Sequence, residues 1–134
     1  MTGMANLQEI LRSMAPVLVE GIFVFCTVTG DYADYAQFRP LASFEELEGL
    51  SLVLRKEAAI EGDLPFQGEF RCISLTVHSS LEAVGLTAVV AGTLADAGIS
   101  ANVIAGFHHD HIFVPSDHAS AALRALRDLS ARSA

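Results

Sequence analysis

Cysteine, positive charge and long apolar runs are all scarce in this sequence, and each shortage removes a class of function. Cys26 and Cys72 stand alone with no CxxC pattern, so they read as buried thiols acting as small hydrophobes rather than as metal or redox ligands. Eight Lys and Arg face sixteen Asp and Glu, a formal charge of -8. Phosphate backbones want a basic face, which argues against nucleic acid. The apolar runs fall well short of a membrane span, and MetThrGlyMetAlaAsnLeuGln has neither the basic nor the apolar region of a secretion signal. The expectation is a cytoplasmic protein with no membrane partner. Catalytic signatures are missing too: no GxSxG elbow, phosphate loop or dinucleotide fingerprint occurs. His78, Ser79, Ser80 and Asp110 include the residue types of a hydrolytic triad, but adjacent His and Ser do not by themselves present a nucleophile to a base. No enzyme activity and no cofactor are expected.

What is present is an apolar chain, 51% hydrophobic and 18% charged, able to bury a sizeable core. Residues 70–129 organise it. Phe70, Cys72, Ser74 and Thr76 alternate with Arg71, Ile73, Leu75 and Val77, which predicts a strand. His78, Ser79 and Ser80 read as a polar turn. Leu86, Val89, Val90, Thr93, Leu94 and Ala97 then recur at helical spacing over 84–97, and Gly98 supplies the stop. Two apolar runs, 101–107 and 112–114, flank HisHisAspHis and predict a hairpin. Ser116 or Asp117 can cap a last helix whose inner face is Ala119, Ala122, Leu123, Leu126 and Leu129.

The earlier half is less regular. Asn6 with Glu9 predicts a capped helix closed by Pro16. Residues 17–19 and 22–28 read as a hairpin about Glu20 and Gly21. Residues 29–40 form the longest irregular stretch, hold both tyrosines and are the expected ligand-facing loop. Solvated carboxylates are the expectation for Asp31 and Asp34 in it. Ser43 with Glu46 predicts a short second helix, residues 50–54 a strand that runs out to solvent through Arg55, Lys56 and Glu57, and residues 61–68 a linker.

Strand, helix, strand, strand, helix, with ValGlyLeuThrAla opening the long helix and AlaGlyIleSerAlaAsnVal following it, resembles the ACT domain, most closely the regulatory ACT modules of aspartate kinase and of cytosolic arginine sensors. The resemblance implies an α+β fold of two ferredoxin-like (βαββαβ) units, an N-terminal one over 1–62 and a C-terminal one over 69–134. Each half lacks one strand, so the units are expected to interlock by strand exchange, the strand at 50–54 serving the second unit and the strand from Phe70 the first. The RNA-recognition fold shares this strand order, but its base-stacking aromatics are absent where Cys72, Ser74, Thr76, Val103 and Ile104 stand.

The resemblance also implies a role: binding a free amino acid at an interface between ACT units, as a sensor or regulator of a partner protein. Its ligand set would be Ser79, Ser80, Val84, Gly85 and Leu86 at the helix start, whose free amides suit a carboxylate, with Asn102 and Asp110 for the ammonium. Ser79 with Glu82 could equally be a plain helix cap. Between Glu82 and Asp96 the helix carries no charge, and its outer side is Ala88, Ala91, Gly92 and Ala95. Close packing on another helix or subunit is expected, hence a homodimer. Two alternatives stand beside this reading. One is a metal site on His108, His109 and His111, against which strand alternation argues by turning His108 and Asp110 away from His109 and His111. The other is an interaction module without a ligand.

Overall fold

The computed structural model describes residues 6–76 and 84–133. These form two compact units, one of Met1–Glu20 with Arg71–Ala134 and one of Gly21–Phe70. Helices α1 (Leu7–Ser13), α2 (Lys56–Glu61), α3 (Leu86–Asp96) and α4 (Ala119–Arg132) accompany strands β1 (Pro16–Leu18), β2 (Phe23–Val28), β3 (Ala42–Glu46), β4 (Gly49–Arg55), β5 (Gln67–Leu75), β6 (Asn102–Ala105) and β7 (Asp110–Pro115).

The unit of Gly21–Phe70 has strand order β3-β4-β2-β5, all three of its pairings antiparallel. Read in chain order, that is the ferredoxin-like arrangement, with two 3-10 turns, Tyr32–Asp34 and Ala36–Phe38, in place of the first helix. Its core gathers Val24, Cys26, Val28, Leu50, Leu52, Leu54 and Ala59. The register of β5 on β2 slips between Phe23↔Phe70 and Phe25↔Gln67. Gly68, at φ +76, sits at the slip, in a conformation that an extra strand residue takes most easily as glycine.

The other unit has the order β1-β5-β7-β6. Here β5 is the first strand, β6 and β7 form a hairpin, and β1, from far earlier in the chain, is the fourth. The units are therefore interlocked by strand exchange: the start of β5 closes one, and Pro16–Leu18 closes the other. Helices α1, α3 and α4 cover one face of this second unit, burying Ile10, Ile73, Leu75, Val90, Leu94, Ile112, Val114 and Leu126 among others. The amide of Gln8 donates to Ser133 O at 2.7 Å and Ser130 Oγ to Met14 O at 3.0 Å, so the first helix is tied to the last. Asn6 Oδ1 accepts from the Glu9 amide and caps α1, as the sequence predicts.

Four local expectations need correction. Residues 17–19 and 22–28 do not form a hairpin: β1 pairs with residues 73–75 at the end of β5 and β2 with its start, at Gln67 and Phe70, and Glu20 and Gly21 carry the chain from one partner stretch to the next. Residues 43–46 are strand β3, not helix: Glu46 pairs with Gly49 across a two-residue turn, and Ser51 donates to the Glu46 carboxylate that was to complete the capping box. The strand at 50–54 pairs with β2 and β3 within its own unit and so serves the first unit rather than the second. Finally, Lys56 opens α2 instead of extending β4 into solvent, with its amide bonded to Ile22 O and Ala59 fully buried.

Candidate functional site

The expected ligand site lies in the unit of Met1–Glu20 and Arg71–Ala134, where α3 begins. Gly85 is the residue before the helix and takes φ +98, which side-chain-bearing residues rarely adopt. Among the described residues no side chain caps this end, and the Gly85 carbonyl starts the helix ladder by accepting from the Val89 amide at 3.0 Å. Val84 points outward, 86% exposed, whereas Leu86 is buried in the core. A Cβ on Gly85 would lie 3.1 Å from Leu7 Cδ2, so the first residue of α1 packs against this cap. Ser79 and Ser80 fall outside the described residues.

The structure separates the other two expected ligand residues. Asn102 opens β6 and pairs with Phe113, to whose carbonyl its Nδ2 donates at 3.4 Å; Asp110 opens β7 and pairs with Ala105. Three pair spacings put them about 10 Å apart along the hairpin. A short connection joins the end of α3 to Asn102, and α3 itself is about 16 Å long, so Asn102 lies at the far end of the helix from Gly85. Asp110 lies toward the near end, beside the last residues of β5, where Ser74 Oγ and His111 Nδ1 share a hydrogen bond of 2.8 Å.

Burial governs the electrostatics of this hairpin. It raises the Asp110 carboxyl above its ordinary range, against a smaller lowering by His111. It lowers the His111 imidazole, assisted by the charge of His109 and opposed by Asp110. A neutral His111 suits its bond to the Ser74 hydroxyl. On the same hairpin, His108 meets the exposed ring of Phe107 edge-on at 5.0 Å, and His109 Nδ1 is buried with no hydrogen-bond partner among the described residues. Among the described residues no three His, Cys, Asp or Glu side chains gather as a metal site.

The unit of Gly21–Phe70 holds a cleft of about 800 Å³ that residue patterns alone did not single out. It is lined by Tyr32 and residues 36–41 from the loop, and by Arg55, Ala58 and Glu61 from the junction of β4 and α2. The sequence points to the loop itself as ligand-facing; the opposite wall is not legible there, because Arg55 reads as the end of a strand and Glu61 as the start of a linker.

Comparison with known proteins now bears on these features. Two family models described as ACT domain match, one over residues 2–71 and one over 67–128. The chain belongs to the ACT domain family. The two ACT matches overlap at residues 67–71, where β5 begins, the strand that the two units divide between them. The chain is also similar in fold to solved structures. A Vibrio cholerae protein of unknown function is 52% identical, over 92% of this chain and 95% of its own, with a TM-score of 0.86. The ligand-free regulatory subunit of aspartate kinase from Thermus thermophilus is 12% identical, over 89% of this chain and 97% of its own, with a TM-score of 0.67. Aspartokinase III of E. coli, solved with aspartate and ADP, is 12% identical and matches 90% of this chain but 33% of its own, with a TM-score of 0.61. No curated protein matches the sequence.

Proposed function

We propose that this ACT protein binds a free amino acid and passes the binding event to a partner protein as a regulatory signal, without chemistry of its own. ACT domains generally bind amino acids in regulatory proteins, and two of them account for most of this chain. That pair carries the reading. In the proposed site the α-carboxylate meets the free amides at the start of α3, around Val84, Gly85 and Leu86, with Ser79 and Ser80 beside it, and the ammonium is taken by Asp110. Asn102, at the far end of α3, would have to come from a second copy of the chain. A homodimer in the cytoplasm is the proposed working state, with ACT units of two copies meeting across the ligand. The exposed small residues Ala88, Gly92 and Ala95 of α3 offer a surface for close packing.

Isothermal titration with the common amino acids, one at a time, tests the reading. One or a few should saturate the protein, and Asp110→Asn should weaken that binding at least about tenfold, the usual scale for a lost charged hydrogen bond. Gly85 is a poor probe, because any side chain there meets both the positive φ and Leu7. Saturation by none of the amino acids would overturn the proposal.

A further inference from the structure

We propose a second ligand site, in the cleft of the unit formed by Gly21–Phe70, that takes a small molecule bearing a carboxylate or phosphate. Its lining brings together Arg39 and Arg55, two of only eight cationic side chains in an acidic chain, with Tyr32, Gln37 and Glu61. The ladder explains their proximity. Ala42 pairs with Val53, and the Leu41 amide bonds to Val53 O at 2.8 Å, so the chain just before β3 runs beside the end of β4, where Arg55 lies. Arg39 itself takes φ 54, ending the second 3-10 turn with its amide on Ala36 O at 3.0 Å.

The walls are built rather than loose. The Arg55 guanidinium lies over the Phe23 ring, 5.2 Å from its centroid, and its Nη1 would be 2.6 Å from a Cβ on Gly21; glycine there leaves it room. The Phe38 ring likewise occupies the space that a side chain on Gly62 would need, pinning the 3-10 loop to the end of α2. Arg55 has other interactions, and a guanidinium carries five N–H donors in a fork, enough to serve more than one partner. Two guanidinium groups in one concave, polar site match the planar acceptors of carboxylate or phosphate. Glu61 is the sole carboxylate among the lining residues, so it favours ligands that also carry a donor, such as an ammonium.

Titration calorimetry of the full chain with inorganic phosphate, succinate and glutamate separates the sources of the oxyanion. At least one should bind saturably, and Arg39→Gln should weaken it by about tenfold or more. Arg39→Lys, which keeps the charge but not the fork, should fall between. Glu61→Gln should strengthen succinate or phosphate and weaken glutamate relative to them. The Arg39 side chain is exposed, and its backbone amide rather than its side chain makes the turn bond to Ala36 O, so unchanged melting curves are expected for these variants. Asp110→Asn should leave this binding unaltered, which distinguishes it from the site at α3. Failure of all three probes to bind, or equal affinity in wild type and Arg39→Gln, would overturn the proposal.

Discussion

Replacing Val17 by proline tests the strand exchange with little disturbance of anything else. Val17 is the middle residue of β1, opposite Ser74 of β5, and its side chain is 47% exposed. On either side the hydrogen bonds are fixed: Thr76 N–H donates to Ala15 O at 3.0 Å and Val19 N–H to Cys72 O at 2.9 Å. Antiparallel ladders alternate, so position 17 is the next hydrogen-bonded one, and its N–H should point at Ser74 O. Pro16, opposite Leu75, occupies a non-bonded position, where a missing N–H costs nothing. Val17→Pro removes a ladder donor and leaves a half-buried carbonyl without it, a loss of about 1–3 kcal/mol. Val17→Thr keeps the β-branch and the N–H and should stay within about 0.5 kcal/mol of wild type. With a urea slope of about 2 kcal/mol per molar, the proline variant's midpoint should fall by roughly 0.5–1.5 M. Equal midpoints for the two variants would mean that Pro16–Leu18 does not close the unit containing β5, and the exchange would be refuted.

Other outcomes follow from the same packing. Leu94 is fully buried between α3 and the sheet, and Leu94→Ala should cost about 2–5 kcal/mol in urea unfolding. His111 titrates below its ordinary value of 6.5 in the folded chain, so the stability from its neutral ring is present above that pH and is lost as pH falls below it. Asp110, shifted upward, works oppositely: its contribution is present below 3.8 and fades as pH rises, so it does not produce that loss. His111→Gln should therefore flatten the dependence of the urea midpoint on pH between about 7 and 5; an unchanged slope would contradict the burial of that ring.

The parts of the fold legible in sequence were those where one period dominates. Alternation through Cys72, Ser74 and their neighbours, the 3.6-residue spacing from Leu86 to Leu94, and the Asn6 cap each matched local structure because local physics and the core agree there. Ser43 and Glu46 misled because a capping box is a four-residue signal. Pairing along the whole of β4 outweighs it. The need for exchanged strands was visible from the missing strand in each half, as was the strand near Phe70 as donor to the first unit; the donor to the second was not, since three residues at Pro16–Leu18 carry too little pattern to name a partner more than fifty residues away.

The candidate site was legible in part for a similar reason. Gly85 and Asp110 could be read as residues of one end of the unit because a helix start and a hairpin tip fall together in this topology. That Asn102 lies at the other end of α3 was not legible, because the sequence does not show that the helix spans the length between them. The cleft at Arg39 and Arg55 depended on β3 being a strand, so the misread capping box hid it.

The measurement that bears most directly on the function is titration of the full chain with each amino acid, in wild type and Asp110→Asn. Saturable binding of one amino acid or a small set, weakened at least about tenfold by the substitution, is the result expected of a zwitterion held between the start of α3 and the hairpin. Heat of dilution alone for every amino acid, or tight binding that Asp110→Asn leaves untouched, would contradict it.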